Sequence, residues 1–164
     1  MPPWDLLIWY APRPDARLEV TESEVDTPAR SRLRPTQYRC QVDMRPGVRA
    51  QFVTVLLPHA PARDATPLAA GITALADRPG LAAVRVKQGD RCELAVLNPE
   101  GTAVDLDAGA AGEVSTDGRA AYLDFHGAKL RGVLVVKGTS LIVGAETLLE
   151  GADRKDFEKT GPDQ

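Results

Sequence analysis

Alternation of apolar and polar residues, broken at short intervals by glycine and proline, limits what this chain can fold into more than any other feature. Neighbouring side chains point to opposite faces of an extended strand, so alternation gives a ribbon with one oily and one wet face. Residues 37–44 show it most cleanly: Tyr38, Cys40, Val42 and Met44 fall on one side, and Gln37, Arg39, Gln41 and Asp43 on the other. This predicts a half-buried antiparallel strand. Residues 49–57 start the same way and end in the apolar run Phe52-Val53-Thr54-Val55-Leu56-Leu57, which predicts a strand end buried on both faces. Pro46-Gly47 between the two predicts a turn joining them as a hairpin.

The pattern recurs downstream. Ala82, Val84 and Val86 alternate with Ala83, Arg85 and Lys87; after the turn Gln88-Gly89-Asp90, Cys92, Leu94 and Val96 alternate with Arg91, Glu93 and Ala95. Asn98-Pro99-Glu100-Gly101 is a turn signal, followed by a short strand over 103–108 with Val104 and Leu106 inward and a flexible link at 109–112. Residues 113–116 and 119–126 flank Asp117-Gly118, a strong hairpin dipeptide. Residues 129–137 and 139–146 flank Gly138 and predict a further pair. Near the start, residues 4–10 read as an aromatic-rich strand and 18–21 as a short one, while 27–35 and 58–67 are loops. Residues 68–76 read as a strand, although their alanines also suit a helix. About ten short strands whose apolar faces need a cover predict an all-β fold, an antiparallel β-sandwich over residues 1–150. Residues 151–164 are charged, lack apolar periodicity and read as a disordered tail.

Composition narrows function by exclusion. The 164 residues carry 20 Lys+Arg against 23 Asp+Glu, which argues against a nucleic-acid or anionic-membrane partner. No apolar run approaches the ~18–20 residues of a membrane-spanning helix. The amino-terminal residues lack the pattern of a secretory signal, so a complete chain is expected in the cytoplasm and a fragment of a longer, exported one in the periplasm or outside the cell.

Recognisable catalytic patterns are few. There is no G-x-S-x-G, and His59 and His126 read as surface or rim histidines. Cys40, His59, Cys92 and His126 contain no close ligand pair, so neither a metal nor another cofactor is expected. Both cysteines fall on apolar strand faces and read as buried thiols, with a cross-sheet disulfide open if the strands face each other. Asp105 and Asp107 share one strand face and read as solvated. Two features suit a carbohydrate. Trp4, Trp9 and Tyr10 can stack on sugar rings or pack in a core. The run Arg30-Ser31-Arg32-Leu33-Arg34 can grip carboxylate or sulfate, or form a solvated loop balanced by Glu19, Glu22, Glu24 and Asp26. The candidate carbohydrate-binding residues are therefore Trp9, Arg32 and Arg34.

Phe52-Val53-Thr54-Val55-Leu56-Leu57-Pro58-His59 resembles the F-x-T-x-L-x-P strand in the C-terminal β-sheet region of heparinase II/III-like polysaccharide lyases. Val84-Arg85-Val86, the L-x-x-L-N-P-x-G of residues 94–101, Thr116-Asp117-Gly118 with residues 120–123, and Gly138-Thr139-Ser140-Leu141 follow in the same succession. The resemblance runs from about Trp4 to Leu149. It implies a β-sheet domain that follows a helical toroid in enzymes cleaving uronate-containing polysaccharides by β-elimination. The family's catalytic Tyr and His positions lie outside the matched motifs, and none can be carried onto this sequence. The implied role is to buttress the catalytic domain, with that toroid as partner and an acidic polysaccharide as the ligand of the assembly. The alternative is a stand-alone carbohydrate-binding β-sandwich module.

Overall fold

The computed structural model describes residues 5–12, 16–22, 36–42, 51–60 and 64–161. They belong to two compact units, one of residues 12–50 and one of residues 1–11 with 51–164. Among the described residues the smaller unit holds one antiparallel pair, β2 (Ala16–Glu22) and β3 (Thr36–Val42), in register from Ala16↔Val42 to Glu22↔Thr36.

In the larger unit β1 (Asp5–Tyr10) pairs with β4 (Thr54–His59), and a one-turn helix α1 (Thr66–Ala70) leads into the remaining strands. These are β5 (Ile72–Arg78), β6 (Leu81–Gln88), β7 (Arg91–Leu97), β8 (Val104–Asp107), β9 (Glu113–Thr116), β10 (Ala120–His126), β11 (Lys129–Val143) and β12 (Glu146–Thr160). They form one antiparallel sheet in the order β5-β6-β7-β10-β11-β9-β8, with β12 added to β11. The fold is all-β, as the alternation requires. The segment read as a strand over 68–76 divides at Gly71, where any side chain would overlap the Lys87 carbonyl. The helix precedes that glycine and β5 follows it.

The cover for the sheet comes from the sheet itself. β9 and β10 run in one direction along a single edge of β11, through Thr116↔Leu141 and Ala120↔Val136, so residues 117–119 stand opposite residues 137–140. β7 and β8 continue one another along the far edges of β10 and β9, with residues 98–103 between them. On the other edge of β11, the pairs Gly138↔Lys155 and Ser140↔Glu150 leave residues 151–154 opposite Thr139. Unequal residue counts on paired strands bend a sheet, and interruptions at one level turn it back on itself. Leu94, Leu123, Phe125, Val133 and Val135 from one half then share a core with Val104, Leu106, Val114, Leu141 and Leu149 from the other.

A polar latch holds the fold line. The Asp117 carboxylate accepts from Thr139 N (2.8 Å), Thr139 Oγ1 (2.6 Å) and Ser140 N (2.9 Å). Arg154 Nη1 donates to the carbonyls of Asp117 (3.0 Å) and Lys137 (2.9 Å), and its Nη2 to that of Gly101 (2.7 Å). Gly118 and Gly138 meet here, and a Cβ on either would lie 2.7 Å from Val135 Cγ1. The fully buried Asn98 donates through Nδ2 to Thr102 O (2.7 Å) and closes the turn before β8.

Four expectations are corrected. Residues 37–44 and 49–57 do not pair as a hairpin: β3 pairs with β2 and β4 with β1, because long-range partners outweigh the local Pro-Gly turn signal. The run from Phe52 to Leu57 is buried on one face only, with Phe52 and Leu56 exposed. Asp117-Gly118 and Gly138 do not close hairpins. The first sits between two strands that share a partner, and the second lies inside one continuous strand. Residues 151–160 are the second half of β12, which is laddered to β11. An outermost strand is held by backbone bonds and keeps charged side chains as a guard against edge pairing, so it needs no apolar periodicity.

Candidate functional site

The most elaborated surface of the larger unit lies where β10 turns into β11. Gly127, at φ 59°, makes the turn, and its N–H donates to Asp90 O (2.7 Å). The ladder then slips: Asp124 pairs with Gly132 but Phe125 with Leu130, which leaves Arg131 as the extra residue of a β-bulge. A bulge re-aims its side chain out of the regular alternation. Arg131 consequently borders two adjoining cavities. One, of about 630 Å³, is lined by Arg91, Asp124, Phe125, His126, Gly132 and Thr160. The other, of about 300 Å³, is lined by Lys129, Leu130, Val143, Glu146 and Lys159. Gly132 lines the larger cavity, and a Cβ on it would meet nothing within 4 Å, so a side chain there would enter open space.

The floor of this cleft continues into a charged network on β7 and β10. Arg91 Nε donates to Asp124 Oδ1 (3.1 Å) and its Nη2 to Glu93 Oε1 (2.9 Å). Tyr122 donates its hydroxyl proton to the same Glu93 oxygen. Partial burial, and then this bond to a carboxylate, push the Tyr122 phenol up to about 12. A phenol whose folded pKa is raised stabilises the fold below its ordinary value near 10, and the contribution fades as pH climbs toward 12. Tyr122 is thus a proton donor held neutral and an unsuitable base at neutral pH.

A second notable surface is the outer face of the β1–β4 ribbon. Leu7, Trp9 and Val55 pack inward with Ala11, Val53, Ile72 and Val84. The opposite face carries Leu6 (52% exposed), Phe52 (49%) and Leu56 (61%), with Ile8 and Tyr10 on the same side. Gln51 Nε2 donates to Leu81 O (3.1 Å) and to Asp77 Oδ1 (3.4 Å), tying the lead-in to β4 onto the turn after β5.

Among the residues singled out from sequence, Trp9 is half-buried against the inner cluster, opposite Val55 in register. Its neighbour Tyr10 faces the other way, so the two do not share one platform. Trp4, Arg32 and Arg34 lie outside the described residues. His59 is half-buried, with Nδ1 3.0 Å from Ala60 O, and His126 is exposed at the cleft. Cys92 is a buried free thiol, and burial pushes its pKa up, which makes it unreactive. The Cys40 side chain lies outside what is described. Among the described residues no group of three His, Cys, Asp or Glu side chains is placed to hold a metal ion. No described helix is long and apolar enough to cross a membrane. Arg131 and the Arg91 network escaped sequence reasoning. The signal available was the odd spacing of Lys129, Arg131 and Gly132 against an otherwise regular apolar alternation. Neither a protein-family model nor a curated protein matches the chain.

Proposed function

We propose that the chain is the non-catalytic C-terminal β-sandwich of a heparinase II/III-like polysaccharide lyase. In this reading it supports a helical toroid domain that cleaves uronate-containing polysaccharides by β-elimination. The succession of motifs from Phe52 to Leu141 supports the family, and the all-β fold is of the class the resemblance implies. The observation that carries the docking role is the apolar face on which Leu6, Phe52 and Leu56 are exposed, with the half-buried Ile8 beside them. Apolar surface gathered on one face of a ribbon is the kind of surface that marks a protein interface. Covering it gains roughly 25 cal/mol per Å² of apolar area.

Two measurements test the proposal. A reading frame that encodes a long helical domain upstream of residue 1 is expected, and co-expression of that domain should carry this chain through purification. Leu6→Glu with Leu56→Glu should abolish the association while leaving the melting temperature of the chain unchanged. Undiminished co-purification would sink the docking role. The chain alone should produce no rise in ultraviolet absorbance on heparin, heparan, alginate or hyaluronan, since β-elimination leaves an absorbing unsaturated uronate.

A further inference from the structure

We infer that the cleft over Gly132 binds a uronate residue of an acidic saccharide, with Arg131 holding the carboxylate and Asp124, His126 and Thr160 meeting ring hydroxyls. The charge count sets the ligand class. Arg91 is neutralised by Glu93 and Asp124, and Lys159 lies 3.6 Å from Glu146. Arg131, by contrast, has no ion-pair or side-chain hydrogen-bond partner among the described residues and borders both cavities, and Lys129 in the second cavity likewise has no ion pair there. A planar guanidinium left unpaired at a cavity wall suits a carboxylate, which it can meet with two parallel hydrogen bonds. Asp124 stands in the same wall and disfavours a doubly charged group such as phosphate. Its spare lone pairs, the Thr160 hydroxyl and the His126 ring can serve the hydroxyls that a sugar acid presents beside its carboxylate.

Space sets the size. Cavities of about 630 and 300 Å³ that adjoin at Arg131 and Gly161 fall in the range of ligand pockets, with room for more than one ring. Gly132 lines the larger one and has open space where a side chain would stand, and the bulge at Arg131 is adjacent to it. This assignment deepens the lyase reading by giving the β domain its own hold on the same class of polymer. It is measured on the chain alone, so its failure and the failure of helical-domain docking are separate results.

The test is titration calorimetry of the full chain with hexagalacturonate, with monomeric glucuronate, with neutral maltohexaose and with inorganic phosphate. Hexagalacturonate should bind and maltohexaose should not. Arg131→Gln and Gly132→Val should each weaken binding by about tenfold or more, the first by removing the clamp and the second by filling the cavity. Arg119→Gln, on an exposed residue away from the cleft, should leave binding unchanged. If Arg131→Gln lowers the melting temperature, Gly132→Val carries the test, because its side chain enters open space. Glucuronate binding with the same variant dependence supports a single sugar acid as ligand, and binding of the hexamer alone supports a polymer. Absence of hexagalacturonate binding at millimolar concentration would overturn the inference. So would binding unchanged in both variants, or phosphate binding as tightly as the uronate.

Discussion

The folded-over sheet and the β1–β4 ribbon are built from the same alternating code, yet they end in opposite states. In the sheet the apolar faces meet: Leu94, Leu123, Phe125, Val114, Val135 and Leu141 are all fully buried. In the ribbon one face is sealed against Ile72 and Val84, while the other leaves Leu56 at 61% and Phe52 at 49% exposure. The difference lies in the available partners. The long strands β9–β10, β11 and β12 can bend and cover themselves, whereas the two-stranded ribbon packs against one layer among the described residues. Apolar alternation therefore specifies a face that must be covered and leaves open what covers it.

Mutations should separate the two regions. Phe125→Ala should cost about 3–5 kcal/mol by urea denaturation, and Phe52→Ala no more than about 0.5 kcal/mol. Equal losses would break the distinction between sealed and bare faces. Next in size is the latch at the fold line. Asp117→Ala should cost roughly 2–3 kcal/mol, because three donors from Thr139 and Ser140 lose their acceptor. Burial pushes the Asp117 carboxyl up, but the bonds from Thr139 and Ser140 and the Arg154 charge outweigh it and hold the pKa below the usual value. A depressed folded pKa stabilises above the unfolded value of about 3.9, and that contribution is lost as pH falls through the folded one. Acid unfolding of Asp117→Asn should accordingly be less steep below about pH 4 than that of the parent chain; an unchanged acid profile would remove Asp117 from the account.

Smaller effects sharpen the same contrast. Gly138→Ala drives a Cβ to within 2.7 Å of Val135 Cγ1 and should cost about 1–3 kcal/mol, while Gly132→Ala, with open space around it, should cost less than about 1 kcal/mol. A ranking in the reverse order would show that the fold line is not close-packed. Smallest of all, Tyr122→Phe should leave stability near pH 7 within about 1 kcal/mol and remove an alkaline loss that the parent chain shows between pH 10 and about 12. Titration of tyrosine absorbance checks this directly.

The strands were largely legible in the sequence, since alternation is a local property. β6, β7 and β8 sit where the pattern put them, with Cys92, Leu94, Val96, Val104 and Leu106 inward. Pairing was less legible. Asp117-Gly118 has the sequence of a hairpin turn, but its aspartate bonds across to Thr139 and Ser140 and its glycine permits close approach to Val135. The segment with least apolar pattern, residues 151–154, supplies Arg154, whose three bonds to carbonyls clasp the fold line. The cleft was hidden for a related reason: a bulge is a mismatch between two strands, and neither strand alone records it.

The sequence by itself determined that this chain forms twisted, half-apolar strands, because side-chain direction alternates with every residue and turns need glycine or proline. Tertiary structure alone decided which strands pair, where the sheet doubles back, and that Arg131 borders the cleft without a counter-charge among the described residues. Those outcomes depend on contacts between residues far apart in the chain. Arg154 and Gly101 are 53 positions apart and meet at 2.7 Å only because four strands bend at one level.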